Sequence, residues 1–251
     1  MQNQKKALIT GASEGIGREF AIQLSRLGYE VTAVARNEGR LHSLMKELNG
    51  KHDYRVADLS EPASIQRIAN ELHQSHYDLV INNAGYGLYG NFHEIALDRI
   101  ENMMRLNCDA VTVLSHAYLK QARSGDALIN VASVVGLVPL PALGIYSATK
   151  AFVVSFSESL WFEQKKRGIY VAALCPGATA TLFQARASGD AAHSPPEVVT
   201  QTPAQVVATT LRALKRRSCP VIVPGFLNNA FVAMMRLVPT KIILLLMGNA
   251  R

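Results

Sequence analysis

The sequence predicts an α/β protein built on a doubly wound, parallel, seven-stranded sheet in a single domain. Three observations carry that prediction. Apolar runs of about five or six residues alternate with longer amphipathic stretches from the start of the chain, the pattern of buried strands joined by helical crossovers. The first run leads directly into a glycine-rich turn and then a helix pattern, as in a βαβ unit. Size and composition agree: 251 residues, 49% hydrophobic and 18% charged. Surface scaling gives roughly 10,900 Å² folded against about 39,600 Å² unfolded, enough burial for one filled core.

The elements follow in order. Lys6 to Thr10 (KALIT) reads as the first strand, and the helix after its turn runs from about Gly15 to Leu27, stopped by Gly28. Glu30 to Ala35 is the second strand. Asn37 caps a helix to Leu48, and Asn49-Gly50 ends it. A short strand near Tyr54 to Ala57 leads to Ser60, read as an N-cap with Pro62 in the first turn of a third helix. Asp78 to Ile81 is a strand, followed by a long helix from about Ala96 into the 110s. Ala127 to Val131 is the next strand, and Tyr146 to Arg167 a long helix whose basic end and Gly168 suit a C-terminus. Ile169 to Leu174 is the sixth strand. Thr202-Pro203 starts a helix ending at Lys215-Arg216-Arg217, and Val221 to Val223 completes a Rossmann-type series. Only Ala178 to Gln201 lacks periodicity, and it reads as a lid.

Three cysteines, Cys108, Cys175 and Cys219, are too scattered for a disulfide framework and show no zinc spacing. A reducing, cytoplasmic setting and no metal are expected. The start of the chain runs into a strand without the apolar core of a signal peptide. The net charge of +7 is uneven: residues 198 to 251 hold seven basic side chains and no acid, which leaves 19 of each sign before them. That tail is also apolar (Phe226, Leu227, Phe231, Met234, Leu237, Ile242), but Arg236, Pro239 and Lys241 interrupt it too often for a spanning helix. The simplest reading has residues 226–251 packing on the body or on a second subunit. The other has them touching an anionic membrane face. Without a recognition motif or interleaved stacking aromatics, no nucleic-acid partner is expected.

Thr10-Gly11-Ala12-Ser13-Glu14-Gly15-Ile16-Gly17 joins the first strand to the first helix. Glycines there let the backbone turn and approach a diphosphate, which a helix N-terminus stabilises, so dinucleotide binding is expected. At the end of the second strand, where an acid would hold a ribose diol, stands Ala35-Arg36-Asn37. Arg36 can bind a 2′-phosphate that an acid would repel, which favours NADP(H). Tyr146 and Lys150, at i and i+4, share one face of their helix. A phenol titrates near 10, and a neighbouring cation lowers that value, helped by an oxidised nicotinamide. Ser133 lies just beyond the strand Ala127 to Val131, at the sheet edge where parallel-sheet sites open.

Taken together, these motifs resemble the short-chain dehydrogenase/reductase family over nearly the whole chain. They are TGxxxGIG at Thr10 to Gly17, Asp58-Leu59, NNAG at Asn82 to Gly85, Asn107, Ser133, YxxxK at Tyr146 to Lys150, and Pro176-Gly177 with Thr181 following. The resemblance implies a tetrad. Tyr146 is the general acid/base, Ser133 orients the carbonyl, Lys150 binds the nicotinamide ribose and lowers the tyrosine pKa, and Asn107 holds a water. It also implies cofactor contacts from Gly11, Ser13, Glu14, Gly15, Ile16 and Gly17, from Arg36, Asp58 and Leu59, and from Asn83, Ala84 and Gly85. Tyr146, Lys150, Pro176, Gly177, Thr179 and Thr181 complete that set. No core motif departs from the family in a way that suggests an inactive enzyme.

The expected reaction is hydride transfer between NADP(H) and a ketone or aldehyde, running as a reductase. The substrate is expected to be apolar (acyl-chain, sphingoid or steroid-like), because Leu182, Phe183, Phe226, Leu227 and Phe231 come without an acid among them. Two alternatives stand beside it: a protein that binds NADP(H) without turnover, and an NAD-dependent alcohol dehydrogenase. The resemblance also implies a homodimer or homotetramer, paired through helices near 98–120 and 146–167. His93 and His193 read as solvated loop histidines, and Cys175 as a packing residue.

Overall fold

The computed structural model describes residues 4–138, 140–181 and 200–248. Seven strands form one parallel sheet in the order β3-β2-β1-β4-β5-β6-β7. They are β1 (Lys6–Thr10), β2 (Glu30–Ala35), β3 (Asp53–Val56), β4 (Leu79–Asn82), β5 (Ala127–Val131), β6 (Tyr170–Leu174) and β7 (Val221–Ile222). The helices are α1 (Gly15–Arg26), α2 (Glu38–Glu47), α3 (Pro62–Gln74), α4 (Leu97–Met104), α5 (Ala110–Gln121), α6 (Gly144–Gln164), α7 (Pro203–Arg216), α8 (Phe226–Leu237) and α9 (Thr240–Gly248).

Alternation along the central strands decides which core each side chain enters, because successive side chains point to opposite faces. Ala7 and Ile9 of β1, and Leu79 and Ile81 of β4, join Phe20, Leu24, Leu41, Leu44, Val206 and Val207 under α1, α2 and α7. Leu8 and Val80, one residue out of phase, join Ile65, Ile68, Leu72, Leu114, Tyr118 and Leu160 under α3, α5 and α6. Both faces are covered, so these strands are apolar along most of their length. One polar cluster is embedded there. Asn82 donates to Ser115 Oγ at 3.1 Å and to Asn130 Oδ1 at 2.9 Å, and Asn130 donates to Ser157 Oγ at 3.0 Å. These bonds tie β4 and β5 to α5 and α6.

The strand order reverses between β1 and β4, and in such sheets the ligand crevice opens at the carboxyl ends beside that point. Three local details depart from the sequence reading. Glu61, not Ser60, occupies the N-cap of α3, because the Ser60 hydroxyl donates instead to Asp58 Oδ1 at 2.6 Å. The α6 helix begins at Gly144, two residues before Tyr146. The helix expected from Ala96 into the 110s is α4 and α5 joined by a π turn over Arg105–Asp109. Asn37 and Thr202 cap as expected, with Asn37 Oδ1 accepting from Arg40 N at 2.9 Å and Thr202 forming a reciprocal box with Gln205.

Candidate active site

The glycine turn after β1 is built on two left-handed residues, Gly11 (φ +67°) and Gly15 (φ +55°), a conformation that a Cβ makes costly. Gly17 is achiral for a different reason: a Cβ there would run into the Gly11 carbonyl and the Asn83 amide. Asn83 straps the turn to β4 by donating to the carbonyls of Thr10 (2.9 Å) and Gly11 (3.2 Å). Thr10 Oγ1 accepts from the backbone N–H groups of Asn83 and Ala84, both at 2.9 Å. The first turn of α1 has no side-chain cap, and its residues Gly15 and Ile16 line the crevice, a position in which free helix N–H groups can hold an anion.

Arginines stand at the end of β2. Arg36 pairs with Asp58 at 3.3 Å, and Arg40, in the first turn of α2, pairs with Glu14. Burial alone would raise the Asp58 carboxyl, but bonds from Ser60 and the Arg36 charge outweigh it and hold the group below its ordinary range.

At the other end of the crevice lies the expected catalytic set. Tyr146 and Lys150 are both buried on the same face of α6. The Tyr146 hydroxyl shares a hydrogen bond with Ser133, and the Lys150 ammonium lies 5.9 Å from the Tyr146 ring centre. Lys150 Nζ donates to the Val131 carbonyl at 2.9 Å. Ser133 is fixed between strand ends, donating to the Pro176 carbonyl at 3.4 Å and capping a 3-10 turn at Val134–Gly136. The π turn carries Asn107 inward, and π turns mark functional sites often. Its amide donates to the Tyr86 carbonyl (3.0 Å) and Thr149 Oγ1 (3.1 Å), while Oδ1 accepts from Tyr86 N (3.2 Å). A Cβ on Gly85 would stand 3.0 Å from Asn107 Oδ1 and 3.3 Å from Lys150 Nζ, so only glycine leaves that corner open.

Electrostatics at this end are governed by burial. It pulls the Lys150 ammonium down to about 8 and pushes the Cys108 and Cys175 thiols up to about 11 and about 12. Burial also raises the Tyr146 phenol well above its ordinary value, and the Ser133 hydrogen bond only partly opposes this. The lowering expected from Lys150 is tied also to an oxidised nicotinamide, and desolvation is the largest influence on the phenol in this structure.

Together these residues enclose a cavity of about 820 Å³. Its wall includes Gly11, Ser13, Glu14, Gly15, Ile16, Arg36, Asp58, Leu59, Asn83, Ala84, Gly85, Ser133, Tyr146, Lys150, Pro176, Gly177, Thr179 and Thr181. Gly17 and Asn107 are not on that wall. Gly17 lets α1 pack against the turn, and Asn107 sits fully buried behind Gly85. Arg40, Tyr86, Tyr89, Leu106, Val135 and Leu143 also line the cavity, and the sequence reading did not single them out. For Arg40 a signal existed: it is a second arginine only four residues past Arg36, in the first turn of α2. Leu182, Phe183 and His193 lie outside the described residues, as does most of the expected lid. His93 lies exposed on a short 3-10 turn, next to Glu94.

The arrangement can hold a dinucleotide and pass a proton to a carbonyl oxygen, and comparison with known proteins points the same way. The family model described as short chain dehydrogenase matches residues 5–191. The chain belongs to the short-chain dehydrogenase family of oxidoreductases. A 3beta-hydroxysteroid dehydrogenase of Mediterraneibacter gnavus is 30% identical over 206 residues, covering 79% of this chain and 75% of the relative. A very-long-chain 3-oxoacyl-CoA reductase of Laccaria bicolor is 32% identical over 175 residues, 66% of this chain, which spans only 52% of that longer relative. Among solved structures, a short-chain dehydrogenase from Sphingobium yanoikuyae in complex with NADPH is 32% identical, with a TM-score of 0.81, covering 94% of this chain and 96% of that one.

Proposed function

We propose that the chain is an NADP(H)-dependent carbonyl reductase acting on an apolar ketone or aldehyde. The carrying observation is one cavity with Ser133, Tyr146 and Lys150 at one end and Arg36 and Arg40 at the other. The residues present fit a dinucleotide. Gly11 and Gly15 give the tight turn, the uncapped start of α1 suits a diphosphate, and the two arginines suit a 2′-phosphate. Asp58, Leu59, Asn83 and Ala84 would flank the adenosine half, and Pro176, Gly177, Thr179 and Thr181 the nicotinamide half. When bound, NADPH supplies a hydride to the carbonyl carbon.

The chain's own residues do the rest. Ser133 turns its hydroxyl from the Pro176 carbonyl to the substrate carbonyl oxygen and keeps that oxygen beside Tyr146. Held protonated by burial, the Tyr146 phenol has a proton to give to that oxygen as the hydride arrives at the carbon. Lys150, charged below about pH 8, stabilises the phenolate left behind and binds the ribose. Asn107 keeps one lone pair of Oδ1 for a water that returns the proton from solvent, close to Lys150. Val135 and Leu143, packed with Tyr146, and Tyr89 on the same wall support an apolar carbonyl compound at the substrate end. The two relatives named above, one a steroid and one an acyl-CoA enzyme, support the same class. Residues 1–225 are read as the catalytic domain and 226–251 as its extension. Exposed Leu97, Met104, Phe152 and Phe162 on α4 and α6 support pairing of two copies there.

The test is NADPH and NADH consumption by the purified protein across ketones and aldehydes from small and polar to long-chain and steroidal. NADPH-linked turnover of the apolar members is expected, falling at least about 100-fold in Tyr146→Phe while NADPH still binds. Undiminished turnover by Tyr146→Phe would overturn the assignment. NADPH binding without turnover on any carbonyl would favour the non-catalytic reading.

A further inference from the structure

The two helices at the end of the fold turn an apolar side toward solvent. In α8, Val232 is buried and Asn228, Phe231 and Met235 are partly covered by the body. The outward side carries Phe226 (84% exposed), Leu227, Met234 and Leu237 (87% exposed). In α9, Ile243 is buried while Ile242, Leu244 and Leu245 are exposed. A solvent-facing helix side is ordinarily charged. Here Arg236 and Lys241 are the only charges from Phe226 to Gly248, and residues 198–251 contain no acid at all. Neither cation makes an ion pair among the described residues.

We propose that α8 and α9 lie flat on an anionic lipid surface. Phe226, Leu227, Met234, Leu237, Ile242 and Leu245 enter the boundary between headgroups and acyl chains, and Arg236 and Lys241 engage the headgroups. Charge selects this occupant over a second copy. An isologous pairing through this face would gather two copies each of Arg236 and Lys241 at one interface, with no carboxylate from the same segment to neutralise them. Length selects a surface position over a span: 12 and 9 residues cover about 18 and 14 Å of helix, against roughly 30 Å of hydrocarbon. No helix among the described residues is long and apolar enough to cross a membrane.

The fold also determines where this face sits. Asn228 packs against Gly177 and donates to Gln201 Oε1 at 3.0 Å and to the Pro224 carbonyl at 2.8 Å. Gly177 is on the cavity wall, so α8 is fastened beside the site. Lipid binding itself does not depend on which reaction the site performs.

The experiment floats the full-length protein with phosphatidylcholine vesicles, with and without phosphatidylglycerol, at low and high salt. The parent should float only with the anionic vesicles and detach as salt rises. Arg236→Glu with Lys241→Glu should weaken apparent binding at least about thirtyfold, because each basic residue near an anionic surface contributes roughly fivefold. Leu237→Asp should release the protein as well. Its position is exposed, and an unchanged urea midpoint would show that the fold is intact. No flotation with anionic vesicles, or equal flotation with neutral ones, overturns the proposal. So does self-association of the parent that is lost in Leu237→Asp, which would make a second copy the occupant.

Discussion

Replacing Lys150 with methionine should stabilise the unliganded protein at neutral pH and destroy its activity. The ammonium is buried, and burial lowers its pKa from 10.5 to about 8. Between those values the unfolded chain binds more protons than the folded one, so stability rises with pH there. The penalty for burying the charge is therefore complete below about pH 8 and gone above about 10.5. At pH 7 it amounts to about 3 kcal/mol, and at pH 9.5 to about 1 kcal/mol. Methionine has a similar length and carries no charge. It loses the bond to the Val131 carbonyl, which costs about 1 kcal/mol at either pH. Cys108 and Cys175, the nearest titratable groups, are pushed up to about 11 and about 12, so they stay neutral at both pH values. Urea unfolding of parent and Lys150→Met at pH 7 and 9.5 measures the difference directly. The variant should gain about 2 kcal/mol more at pH 7 than at pH 9.5. A gain that is equal at both, or larger at pH 9.5, would refute the claim that the buried charge is a liability kept for function.

The same group sets the activity profile: kcat/KM for reduction should be level below about pH 8 and fall through it as Lys150 loses its charge, read from pH-rate curves. Arg36→Ala and Arg40→Ala should each raise the KM for NADPH by about tenfold or more, with that for NADH nearly unchanged, because only the 2′-phosphate loses a charge-assisted bond. Gly17→Ala forces a Cβ into the Gly11 carbonyl and should cost about 1–3 kcal/mol in urea and weaken dinucleotide binding. Asn130→Val leaves Ser157 without its donor and removes the Asn82 acceptor, so a loss of about 2–3 kcal/mol is expected by the same assay.

Much of this fold was legible because its signals are local. Each central strand is an apolar run, and the glycines after β1 lie within seven residues of one another. Tyr146 and Lys150 share a helix face by spacing alone. What escaped the sequence depends on contacts through space. The Asn83 amide braces the glycine turn from β4, and nothing near Asn83 in the chain announces that. The π turn at Arg105–Asp109 is a one-residue change in helix winding that leaves apolar periodicity almost intact, yet it brings Asn107 against Tyr86 and Thr149. Ser60 looked like a cap because serine is a good one, but Asp58 competes for its hydroxyl. The pKa of Tyr146 could not be read from spacing either, since its largest influence is burial, which the i, i+4 pattern does not show.

The central claim is that hydride reaches a carbonyl carbon while Tyr146 supplies the proton. The most direct test incubates NADPH carrying deuterium at the transferable position with an apolar ketone and the purified protein, then locates the label by mass spectrometry. One deuterium on the carbinol carbon, with Tyr146→Phe at least about 100-fold slower, is the predicted result. NADPH that binds but leaves no label in any alcohol, or labelling undiminished in Tyr146→Phe, would contradict it.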